Sequence, residues 1–116
     1  MAKEYFEKLN ILVRKTKIAN EVKFDLEVKH FFSGAALYAN GIICVSWSPA
    51  GLAFKMSETD ADKLINSGKT IPLKYFPKGR IKKGYALFEN PDSTPPGKWK
   101  GRLIKAIQQI PESTAT

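Results

Sequence analysis

Apolar residues recur along the chain with two different periods, and the change of period separates a helix from a strand. Over residues 5–13 they recur at steps of three and four, which predicts a helix at residues 1–20, ended by Asn20. Over residues 22–29 apolar and charged residues alternate strictly, as in a strand that buries one face. The sequence therefore predicts that the chain enters a sheet directly after its first helix.

Turn-forming residues divide the middle of the chain into short strands. Asn40-Gly41 is the dipeptide that best suits a two-residue type I′ hairpin turn. The sequence Ser-Pro-Ala-Gly at residues 48–51 marks a second turn. Residues 22–56 are therefore predicted to form an antiparallel meander.

The second half of the chain returns to helical spacing and then to strands. Ser57 is suited to cap a helix that Gly68 ends, which predicts a helix at residues 57–67. The remaining predicted elements are a hairpin at residues 71–89, a helix at 96–110 and a tail at 111–116. The order α-β-β-β(-β)-α-β-β-α indicates a single α+β domain over residues 1–116. Its two layers are helices and an antiparallel sheet of five or six strands.

Basic residues outnumber acidic residues in the chain, 19 to 11. The 116 residues carry a formal net charge of +8, which favours a partner with negative charge. No acidic residue lies between Asp62 and Glu89, whereas seven basic residues do, and we call residues 63–83 the basic segment. The candidate contact residues for nucleic acid or another partner are Lys69, Lys74, Lys78, Arg80, Lys82 and Lys83.

Cysteine usage and the N-terminus narrow the class of protein further. A single cysteine, Cys44, cannot form an internal disulfide, and no Cys/His spacing typical of a zinc site is present. We therefore expect no cofactor and no metal. The charged N-terminus lacks the apolar stretch of a signal peptide, and no window has the length of a membrane span. These patterns predict a soluble, cytoplasmic protein without a membrane partner.

The residues that could carry chemistry are better explained as structure. His30 is the only histidine, and on an alternating strand it points away from Ser33, which disfavours a Ser-His pair. Cys44 lies between apolar neighbours without an adjacent base, as an inert thiol does. Four aromatic residues offer a stacking platform for bases, but a buried cluster is the favoured interpretation. They are Phe31, Phe32, Trp47 and Phe54.

A local motif in the meander resembles the signature of a known family. Residues 29–41, KHFFSGAALYANG, are similar to the pattern R-x-M-F-G-G-x-G-L-Y-x-x-G of the N-terminal domain of TfoX/Sxy regulators. Residues 52–55 resemble the third strand of that family, and residues 71–75 resemble its x-P-F-x-Y segment. The matching signature positions, which we interpret as structural, are Phe32, Gly34, Leu37, Tyr38 and Gly41.

The resemblance implies a regulatory role, and no set of residues in the sequence has the pattern of a catalytic site. The better known TfoX/Sxy proteins regulate natural competence genes together with the cyclic-AMP receptor protein, and they carry a second, helical domain that this sequence lacks. We therefore expect a non-enzymatic regulatory or interaction domain that acts through a protein partner. The alternative is sequence-independent binding of nucleic acid through the basic hairpin. The sequence also leaves open whether the chain forms a homodimer.

Overall fold

The computed structural model describes residues 2–31, 34–73 and 82–108, and it confirms the predicted α+β class and the order of elements. Three helices accompany a sheet of six strands, and three short 3-10 turns lie at Ile18–Asn20, Pro91–Ser93 and Pro96–Trp99. The helices and strands are, in chain order, α1 (Ala2–Thr16), β1 (Leu26–Phe31), β2 (Gly34–Ala39), β3 (Ile42–Ser48), β4 (Gly51–Lys55), α2 (Glu58–Asn66), β5 (Ile71–Leu73), β6 (Lys82–Phe88) and α3 (Lys100–Gln108).

The sheet is antiparallel throughout, with the strand order β1-β2-β3-β4-β6-β5. The first four strands form the predicted meander. The chain then leaves β4 through α2 and returns at the sheet edge as β5, so that β6 fills the place between β4 and β5. The sheet therefore ends with β1 at one side and β5 at the other.

One face of the sheet is buried beneath α1 and α3. Alternate side chains of the central strands, among them Leu37, Val45 and Phe54, are fully buried in one apolar cluster. The helices contribute Leu9 and Leu12 from α1, and Leu103, Ala106 and Ile107 from α3. Because strand side chains alternate between faces, Ala53 and its neighbours point the other way and form a second cluster. Its members are Ala53, Leu73, Tyr85 and Leu87.

The first helix ends earlier than predicted. Lys17, and not Asn20, takes the left-handed conformation, with φ of 54°, and α1 stops at Thr16. The chain then makes a 3-10 turn that buries Ile18. The apolar spacing alone did not reveal this end because the terminating residue is neither glycine nor asparagine.

The first strand begins later than predicted. Exposed and partly buried residues alternate over residues 21–28 as the pattern indicated, but the ladder starts only at Leu26. Val22 and Phe24 pack against the core from an irregular segment. The segment is held to the turn between β2 and β3, because the Asp25 N–H donates to Asn40 Oδ1 at 2.8 Å and the Asn40 N–H donates to the Asp25 carbonyl at 2.9 Å.

The predicted hairpin turn between β2 and β3 is confirmed by its backbone. Asn40 and Gly41 both have positive φ, 50° and 82°, as a type I′ turn requires. The predicted cap of α2 is also confirmed, because Ser57 Oγ accepts the Asp60 N–H at 3.1 Å. Both elements were specified by short-range chemistry.

The last predicted elements are confirmed in part. The final helix starts as the 3-10 turn Pro96–Trp99, so the α-helix begins at Lys100 and not at residue 96. The hairpin of residues 71–89 is present as the antiparallel pair β5 and β6. Residues 74–81, residues 109–110 of the predicted final helix and the predicted tail at 111–116 lie outside the described residues.

Any side chain at position 34 is predicted to destabilise the fold for a steric reason. A Cβ atom at this position would collide with the carbonyl oxygen of Trp47 on the paired strand, so Gly34→Ala is expected to lower the free energy of unfolding by about 3 kcal/mol. Gly101 lies in α3 with open space around it, so Gly101→Ala is the matched control and is expected to stabilise by about 0.5–1 kcal/mol. Urea unfolding measures both, and equal effects of the two substitutions would contradict the steric argument.

Candidate functional site

A basic cleft lies between α2 and α3, at the end of β4. It has a volume of about 260 Å³. Its lining combines four basic residues, one acidic residue and two apolar residues: Lys55, Lys63, Arg102, Lys105, Asp60, Met56 and Leu64. We call this concavity the α2–α3 cleft.

The α2 wall of the cleft follows from helical spacing. Ser57 caps the helix directly after β4, and residues three and four apart then share one face. Asp60, Lys63 and Leu64 have this spacing and all line the cleft. Helix α2 thus places one carboxylate, one ammonium group and one apolar side chain on the same wall.

The α3 wall is set by the burial of the opposite face of that helix. Leu103 and Ile107 are fully buried in the core, which turns Arg102 and Lys105 outward to the cleft. The Arg102 guanidinium lies 4.9 Å from the centre of the Phe88 ring, within the range of a cation–π contact. Phe88 in turn packs on the core ring Trp99, with the ring centres 4.9 Å apart.

Positive charge is in excess at the cleft. Asp60 is the single carboxylate among the lining residues, against four cationic side chains. Within the described part of the chain, Lys63, Arg102 and Lys105 form no ion pair. Because cationic groups around a concave, partly apolar surface concentrate anions, the arrangement is suited to bind a negatively charged group.

Of the basic segment predicted from the sequence, the structure describes the side chains of Lys63 and Lys69. Lys63 lines the α2–α3 cleft, whereas the exposed Lys69 lines a separate cavity of about 320 Å³ that also contains Glu89. Lys82 and Lys83 belong to β6. The other candidates, Lys74, Lys78 and Arg80, lie outside the described residues.

Sequence reasoning missed the α3 half of the cleft, although the sequence contains a signal for it. Residues 98–105 include four basic residues and no acidic one. This second basic run is separated from Lys63 by more than thirty positions along the chain, and only helix packing brings them together.

The signature residues have structural positions where they are described. Gly34 allows close approach to β3, and Leu37 is fully buried in the core. Tyr38 is half-buried on the opposite face, where the Lys29 ammonium lies 5.2 Å from the centre of its ring. Gly41 forms the hairpin turn. Phe32 lies outside the described residues.

Two of the four aromatic residues considered for base stacking belong to the core. Trp47 and Phe54 are buried, and Phe54 stacks on Trp99 with ring centres 5.5 Å apart. Phe31 is half-buried at the end of β1. His30 is exposed and stacks on Phe6 of α1, at 4.7 Å between ring centres.

A third concavity, of about 180 Å³, lies beside α1 and is mainly apolar, with Ile11, Trp47 and Trp99 in its lining. Lys8 and Asp92 also line this concavity. The Lys8 ammonium donates to Asp92 at 2.9 Å and lies 3.4 Å from Glu4. These partners raise the pKa of Lys8, and the hydrogen bond to Asp92 is the largest cause. Lys8 therefore links α1 to the 3-10 turn Pro91–Ser93.

The Cys44 thiol is held as a buried, protonated group. It donates to the Leu37 carbonyl at 3.3 Å, and burial raises its pKa to about 12, an effect that the positive charge of Lys55 partly offsets. A thiolate is the reactive form of cysteine, and burial disfavours it.

No family model, curated protein or solved structure matches the chain. Within residues 2–31, 34–73 and 82–108, no helix is both long and apolar enough to span a bilayer. In the same residues, no three His, Cys, Asp or Glu side chains come together as a set of metal ligands.

Cys44 is expected to resist thiol reagents in the folded protein. With Ellman's reagent at pH 8, the native protein should react at least about a hundredfold more slowly than the chain in denaturant, because the thiol is buried and protonated. Because the pKa of the thiol is higher in the folded than in the unfolded chain, it also contributes to the free energy of unfolding. This contribution is complete below pH 9.0, the ordinary pKa of a cysteine thiol, and is lost as the pH rises towards 12. Cys44→Ala provides the blank, and equal rates in the native and unfolded states would contradict the placement of the thiol.

Proposed function

We propose that this protein is a non-enzymatic interaction domain that binds an acidic segment of a protein partner in the α2–α3 cleft. The observation that supports the proposal is the excess of cationic side chains around one concave surface. Lys63 lines this surface from α2, Arg102 and Lys105 line it from α3, and the Arg102 guanidinium lies 4.9 Å from the centre of the Phe88 ring.

The size and lining of the cleft favour a peptide over other anionic partners. At about 260 Å³ the cleft is smaller than most small-molecule pockets, and it suits one or two side chains. Met56 and Leu64 add apolar surface beside the charges. A segment in which Asp or Glu alternates with apolar side chains matches both features, whereas nucleic acid is bound mainly through contacts to an extended phosphate backbone.

The resemblance of residues 29–41 to TfoX/Sxy N-terminal domains supports a regulatory role for the same interaction. On this basis we propose that the protein acts in the cytoplasm on a regulatory partner, with a link to transcription or competence. Turnover of a metabolite by the purified chain would contradict the non-enzymatic part of the proposal.

The binding proposal is tested with a fluorescent peptide of alternating Glu and Leu residues. Anisotropy should show binding at low salt that weakens as salt rises, because the contacts are between exposed charges. The double substitution Lys63→Glu with Lys105→Glu is expected to weaken binding roughly tenfold or more.

The matched control changes the net charge by the same amount, at two positions away from the cleft. Lys23→Glu with Lys98→Glu replaces two exposed lysines that are absent from the cleft lining, and binding should be nearly unchanged. An equal loss in both double variants would show that net charge, and not the cleft, attracts the peptide. Failure of the peptide to bind at low salt would also contradict the proposal.

The second candidate function is sequence-independent binding of nucleic acid through the basic segment, which the net charge of +8 favours. Gel shifts with duplex DNA and with RNA at low and moderate salt test it. The expected result is a loss of binding in the variant Lys78→Glu with Arg80→Glu. Unaltered binding in that variant would exclude the basic segment as the contact.

A further inference from the structure

The outer edge of β1 presents its backbone groups in a defined pattern. The hydrogen bond from the Asn40 N–H to the Asp25 carbonyl sets the phase of the β1–β2 ladder, because antiparallel hydrogen bonds join residues directly opposite each other. The backbone groups of Glu27 and Lys29 therefore point towards β2. Those of Leu26, Val28 and His30 point outward, and no described strand lies on that side.

The two edges of the sheet differ in how well they are protected. The described part of β5 is three residues long and contains Pro72, which are common features of an edge that does not pair. β1 is six residues long and contains no proline. An uncovered edge of this kind is a template for another strand.

The sequence of β1 is complementary to itself in one antiparallel register. If Val28 of one copy lies opposite Val28 of a second copy, Leu26 lies opposite His30, and all three are residues whose backbone groups point outward. Glu27 of each copy then lies opposite Lys29 of the other. These charged pairs occupy the non-hydrogen-bonded positions, where cross-strand side chains come closest.

The neighbouring registers are disfavoured by charge. Moving the twofold axis to Glu27 places two carboxylates opposite each other, and moving it to Lys29 places two ammonium groups opposite each other. Side-chain faces also match in the register centred on Val28. Glu27 and Lys29 lie on the face away from α1, and Lys29 is already oriented there by the Tyr38 ring at 5.2 Å and by Glu27 at 3.6 Å.

We propose that two copies of this chain pair through β1, around a twofold axis at Val28, into one continuous sheet. The occupant of the edge is a second copy, selected by the reciprocal Glu27–Lys29 pairs and by the outward backbone groups. The α2–α3 cleft adjoins β4 and α2, and α2 packs on β6 and β5 at the far side of the sheet. The dimer therefore carries two open clefts, and dimer formation is independent of the function proposed for them.

Charge reversal tests the register. Sedimentation equilibrium of the full chain should show a dimer, and either Glu27→Lys or Lys29→Glu alone should raise its dissociation constant roughly tenfold or more, because each opposes like charges. An equimolar mixture of the two single variants should form heterodimers, since each strand then faces its complement. The double variant E27K/K29E should recover the dimer.

A backbone variant tests the edge independently of charge. Val28→Pro removes an outward N–H without breaking the β1–β2 ladder, so it should abolish the dimer, whereas the control Val28→Ala should leave it largely intact. Circular dichroism verifies the fold of each variant. A wild-type chain that remains monomeric at all concentrations, or a dimer unaffected by Glu27→Lys and Val28→Pro, would overturn the proposal.

Discussion

The structure depends on the burial of one face of a six-stranded antiparallel sheet beneath α1 and α3. Phe54 of the central strand β4 stacks on Trp99, and Leu9, Leu103 and Ile107 are fully excluded from water around them. Burial of apolar surface of this kind is the dominant favourable contribution to folding. Because it fixes how α3 rotates on the sheet, it also decides which side chains of α3 reach the surface and where they meet α2.

Much of the fold could be predicted because its signals are local. The alternation before β1, the Asn40-Gly41 turn and the Ser57 cap each specify their element within a few residues. The end of α1 could not be predicted in this way, because Lys17 adopts a conformation that its side chain does not favour. The position of β6 between β4 and β5 was also beyond local reasoning, since strand order is set by packing across the whole sheet.

The candidate site was less accessible to sequence reasoning than the fold. The excess of positive charge was evident from the sequence, but the sequence did not show that Lys63 and Lys69 line different cavities. Lys63 lines the same cleft as Arg102 and Lys105. A sequence pattern reports residues that are close along the chain, whereas this cleft is formed by residues close only in space. The signature that resembles TfoX/Sxy domains lies in the meander, and its described residues serve the sheet.

Arg102 has a consequence for how the α2–α3 cleft would respond to an occupant. Its guanidinium is seated on Phe88, and Phe88 contacts both Phe54 and Trp99. A long side chain normally gives up much rotamer freedom when it engages a ligand. Here the contact with Phe88 restricts that freedom in advance, so in the proposed complex Arg102 would act as a preorganised anchor, while Lys63 and Lys105, which form no ion pair among the described residues, would adapt to the shape of the bound segment.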